Sequence, residues 1–207
     1  MDKIFASELL STKETLFKRI LSFNGLNIPP SELLALKDGP LSALVLKPEV
    51  LRRIKREGPF FFDFAKFEDR FCLLTESEIF RLQKLLGAVI FADKILKTVK
   101  ACDLLEIKKI LGEDIYNFAT GRAQFYMSPN LKKHLTYNIE FSAAIILPNA
   151  SKSLGFIASK ISDPLKERFP FMSTNETLDE PLYANLLHSV LNILKQEMEA
   201  TCLELSF

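Results

Sequence analysis

The run from Thr75 to Arg122 constrains this chain more than any other, because it writes helix starts, helix stops and a continuous apolar face in quick succession. Thr75-x-x-Glu78 precedes an apolar run, the arrangement in which a threonine hydroxyl and a glutamate carboxylate satisfy the first free N–H groups of a helix. Ile79, Leu82, Leu85, Leu86, Val89 and Ile90 follow at the spacing that places them on one side of an α-helix. Asp103-x-x-Glu106 repeats the start signal, with Leu104, Ile107 and Leu111 on one face. Gly112 stops that helix, since glycine alone takes a positive φ without strain. Ile115, Phe118, Ala119 and Arg122 recur at helical spacing beyond it. The spacing predicts three or four short helices with tight connections.

The flanking sequence reads the same way. Residues 7–23 carry Leu16, Phe17, Ile20 and Leu21 on one helical face, closed by Asn24-Gly25. Pro29-Pro30 opens a short helix, and Pro48 opens a basic one, closed by Gly58-Pro59. Phe60, Phe64, Phe67 and Phe71 share helical spacing, with Phe61 and Phe62 on another side. Such a cluster reads first as a core wedge and second as an exposed anchor for a partner. Residues 123–130 read as a loop with a turn at Ser128-Pro129-Asn130. Residues 131–147 satisfy two patterns, because Ile139, Phe141, Ala143, Ile145 and Leu147 alternate as a strand would. With no second strand to pair, a helix ending at Pro148-Asn149 is expected, then another over 154–161. Asp179-Glu180-Pro181 begins the last helix, where Tyr183, Leu186, Leu187, Val190, Leu191, Leu194 and Met198 form the stripe expected to be buried.

These readings give an all-α fold, a single multi-helix domain of roughly 8–10 helices with irregular loops. Within residues 1–207, a basic helical arm is expected over 1–59, a central core over 60–147 and a C-terminal helical region over 148–207. Hydrophobic residues make up 48% and charged residues 26%, the balance of a chain that buries a core rather than one that stays unfolded. The formal net charge of +1 gives no overall field for nucleic acid or anionic lipid. Its distribution is uneven: residues 1–57 hold ten basic and seven acidic side chains, residues 176–207 six acidic and one basic. Cys72, Cys102 and Cys202 lie far apart without metal-ligand spacing, which argues against a disulfide framework and fits a reducing compartment. The longest apolar run, Leu85 to Ala92, is well short of the ~20 residues a membrane span needs. The N-terminal residues lack the apolar core of a signal peptide, so a cytoplasmic protein is expected.

No catalytic motif is visible. The two histidines, His134 and His188, have no nucleophile or ligand partner at a recognisable spacing, and read as a surface and a structural residue. Seven glycines in 207 residues leave no phosphate loop. The acid pair Glu113-Asp114 reads as helix-start chemistry. Arg52, Arg53, Lys55 and Arg56 could meet phosphates, but Glu49 and Glu57 flank them, so a solvated face or a protein-docking patch reads better. Lys108-Lys109 and Lys132-Lys133 are isolated pairs. The chain is therefore expected to be no enzyme, to hold no metal or other cofactor, and to bind no nucleic acid.

The residues from Glu78 to Phe125 resemble the central region of the SctK family, called YscK and PscK in other nomenclatures. Leu82-x-x-Leu85-Leu86-Gly87, the short helix from Ala92 to Val99 and Asp103-Leu104-Leu105 carry part of the resemblance. Leu111-Gly112-Glu113-Asp114-Ile115-Tyr116-Asn117-Phe118-Ala119 carries most of it, being similar to a family segment of leucine, glycine and glutamate followed by aromatic, phenylalanine and alanine positions. Phe23-Asn24 with Pro29-Pro30, and the leucine-rich terminal helix, add to it. The resemblance implies an all-helical, non-enzymatic adaptor of the type III secretion injectisome. It would act in the cytoplasmic sorting platform, peripheral to the bacterial inner membrane through protein partners. Its implied partners are the inner-membrane ring protein (SctD) and the pod protein (SctQ), and through the pod the stator and export ATPase. On that reading the partner-binding candidates are Arg52, Arg53, Lys55, Arg56, Phe60, Phe61 and Phe62, with the acidic C-terminal region as a second face. The alternative is another helical binding module, such as a secretion chaperone or regulatory scaffold.

Overall fold

The computed structural model describes residue 19 and residues 66–166 and 178–198. Among them the chain is all-α: eight α-helices and three 3-10 turns, with no strand. The chain divides into two compact units, Leu74–Ala200 and Met1–Leu73 with Thr201–Phe207. The sequence reading draws its internal boundaries elsewhere, after residues 59 and 147. In the second unit the described residues centre on a 3-10 helix, Glu68–Leu73. There Phe67 and Phe71 are buried and meet edge to face at 5.4 Å, and Arg19 donates to the Leu73 carbonyl at 3.3 Å. Phe60, Phe61, Phe62 and Phe64 lie outside the described residues, as do Arg52, Arg53, Lys55, Arg56 and the helices expected over 7–57.

The unit Leu74–Ala200 is built around α1, Glu76–Ile90. Thr75 forms the expected reciprocal cap: its hydroxyl accepts from the Glu78 N–H at 3.3 Å, and its own N–H donates to the Glu78 carboxylate at 2.8 Å. All six apolar residues expected on the inner face of α1 are buried. Helices α2 (Ala92–Leu96), α3 (Ala101–Leu111) and α4 (Glu113–Gly121) follow, so the Thr75–Arg122 run folds as four helices. Helices α3, α4, α6 (Ile146–Ala158) and α8 (Glu180–Glu197) all pack against α1. Burying one leucine of this kind contributes about 2 kcal/mol, so the seam around α1 is a substantial source of this unit's stability.

Two glycines set the geometry. A Cβ on Gly87 would lie 2.7 Å from the Ile146 Cγ2 and 3.0 Å from the Ile146 carbonyl oxygen, so α1 and α6 approach closely only because that side chain is missing. Gly112 has φ 88° and both ends α3 and begins α4, a corner no residue with a Cβ takes without strain. Asp103 does not start α3, however. Lys100 occupies the cap position and Asp103 lies in the first turn, where its charge still favours the helix.

The largest departure from the sequence reading lies between residues 128 and 158. Ser128-Pro129 opens α5, Pro129–Leu135, rather than closing a loop: the Ser128 hydroxyl accepts from Leu131 N–H and Pro129 takes a position that needs no N–H. The helix expected over 131–147 breaks after Leu135. Asn138 has φ 55°, a left-handed conformation asparagine tolerates, and the next residues run irregularly to a 3-10 turn at Ala143–Ile145. The alternation is nonetheless real. Phe141 and Ala143 turn inward, Glu140, Ser142 and Ala144 outward, and Phe141 packs against Phe91 at 5.4 Å. Pro148 does not stop a helix but sits in the first turn of α6, where its missing N–H has no acceptor to lose.

After α7, Asp163–Lys166, the terminal helix α8 begins with Asp179 as cap residue and Pro181 in its first turn. Its buried line is Tyr183, Leu186, Ser189, Val190, Ile193 and Leu194. Leu187, Leu191 and Met198, expected inside, are half-buried. The line is rotated toward Ile193, and Ser189 is accommodated because its hydroxyl donates to the Asn185 carbonyl at 2.8 Å.

Candidate functional site

Among the clefts lined by described residues of the unit Leu74–Ala200, two differ in how their charges are arranged. The first, of about 430 Å³, has an apolar floor of Leu85, Ile115 and Phe118 and a rim that includes Arg81, Asp114, Arg122 and Glu197. Every charge on that rim is paired. Arg81 Nη1 donates to Asp114 Oδ2 at 2.9 Å, joining α1 to α4. Arg122, at the end of α4, donates through Nε and Nη2 to both oxygens of Glu197 at 2.8 and 2.6 Å, a bidentate pair that fixes the end of α8. The Tyr126 hydroxyl also donates to Glu197, and lies 2.9 Å from Gln196 Oε1. The Tyr126 ring stands edge-on to Phe118 at 5.3 Å.

This clamp moves the affinities of its groups for protons. Burial, the largest influence on Glu197, raises its pKa, but hydrogen bonds from Arg122 and Tyr126 outweigh it and hold the carboxyl below its ordinary value. Burial and the Glu197 carboxylate push the Tyr126 phenol up to about 12. At Asp114 the order is the same, with burial opposing and the Arg81 hydrogen bond prevailing, so its pKa is also lowered. All three groups stay in their ordinary charge states at neutral pH, which suits a fastener between helices better than a proton-transfer device.

The second cleft, about 540 Å³, lies between the end of α5, the irregular stretch after it and α6. Asn130, Lys133, His134, Leu135, Tyr137, Ile139 and Lys152 line it. Three of these are basic side chains and, among the described residues, none is a carboxylate. Glu140, next in sequence to Ile139, is exposed but does not line it. Tyr137 is 71% exposed, far more than a core aromatic.

The sequence saw Lys132 and Lys133 as one basic pair, yet the structure separates them. Lys132 is buried and donates to the Gln124 carbonyl at 3.0 Å, and burial lowers its pKa, while Lys133 faces the second cleft. Lys108 instead reaches Glu113 at 2.9 Å and lies over the Tyr116 ring. The acid pair Glu113-Asp114 therefore does two jobs: it opens α4, and each carboxylate holds a cation of an earlier helix. His188 is exposed, with Asn192 on its ring nitrogen at 3.0 Å, and His134 is exposed at the second cleft. Cys72 is buried and Cys102 exposed, and neither is in a disulfide. Among the described residues no three His, Cys, Asp or Glu side chains gather as metal ligands. No helix among them is long and apolar enough to cross a membrane.

The class these observations define is, among the described residues, an all-α protein with helix-joining ion pairs around one cleft and Lys133, His134, Tyr137 and Lys152 along another. In comparison with known proteins, no family model, no curated protein and no solved structure matches the chain.

Proposed function

We propose that this chain is a non-enzymatic adaptor of the SctK type, linking the inner-membrane ring protein (SctD) to the pod protein (SctQ) of a type III secretion sorting platform. It would work in the cytoplasm at the inner-membrane face, held there by its partners and not by insertion. The observation that carries this reading is the segment Leu111–Ala119. It bears most of the sequence resemblance, and in the fold it is the Gly112 corner plus the part of α4 that supplies Asp114, Ile115, Asn117 and Phe118 to the first cleft. An adaptor of this kind needs a stiff body and separate contact faces, with interfaces polar enough that the free subunit stays in solution.

Tagged full-length chain expressed in its own cells tests the reading. Pod and ring proteins are expected to co-purify with it. Recovery of an exported substrate alone would move the assignment to a secretion chaperone, and recovery of neither partner under mild lysis would overturn the adaptor reading.

A further inference from the structure

We draw no further inference here: the strongest candidate, the exposed apolar side chains Leu96, Val99 and Leu105 around the junction of α2 and α3, carries nothing because nothing among the described residues shows what covers them.

Discussion

Along α6, Ile146, Ala150 and Leu154 are fully buried, whereas Lys152 lies exposed at the second cleft. The inner side meets α1 so closely that a single added methyl at Gly87 has nowhere to go, and the outer side tolerates large charged groups. Shape is fully specified on one side and charge on the other. A helix built this way is a rigid wall for the core on one side and a solvent-facing surface on the other. The first cleft stands between these extremes, because its charges are spent on one another across α1, α4 and α8.

The comparison can be broken most forcefully at the seam. Gly87→Val drives a branched side chain into Ile146 and its backbone carbonyl, and should cost about 3 kcal/mol, read as a lower urea midpoint. A loss below about 0.5 kcal/mol would mean that α1 and α6 do not meet as described. Next comes the clamp. Glu197→Ala removes the carboxylate that accepts from both Arg122 and the Tyr126 hydroxyl, but Gln196 Oε1 stays within reach of that hydroxyl and Arg122 is open to water, so a loss of about 1 kcal/mol is expected in the same measurement.

The clamp also carries a pH signature. The Glu197 pKa is lowered on folding, so its contribution is full above the unfolded carboxyl's ordinary value and fades as pH falls through the folded one. Tyr126 is raised from 10.0 to about 12, so its contribution is full below 10.0 and fades as pH climbs toward about 12. The stability gap between the native chain and Glu197→Ala should therefore narrow at both ends of the range and stay flat between them. A gap that widens in acid would contradict the pairing. The smallest effect belongs to the second cleft: Lys133→Glu should change stability by less than about 0.5 kcal/mol, since an exposed side chain there supports no packing.

Much of the fold was legible in the residues and the reasons for the remainder are physical. The α1 cap, the inner face of α1 and the Gly112 corner follow from local rules, in which side chains satisfy backbone groups a few positions away. Residues 131–147 were expected as one helix because no second strand could pair with them, whereas their alternation belongs to an irregular stretch that needs no pairing partner, and proline in a first turn and proline after a last turn look alike in sequence. In α8 the buried line was displaced by Ser189, whose burial depends on a hydrogen bond to its own helix that hydrophobicity does not register. Of the site, the sequence offered Lys132-Lys133 as a pair and His134 as a surface group. Only the fold separates the inward lysine from the outward one and brings Lys152 and Tyr137 to the same opening. The Arg122–Glu197 pair spans 75 positions, a separation no local pattern reaches.

Sedimentation velocity on purified chain mixed with pod protein and the cytoplasmic domain of the ring protein tests the central claim most directly. The adaptor account predicts one ternary species larger than either binary mixture. Two binary complexes that exclude each other, or three components sedimenting independently, would contradict it.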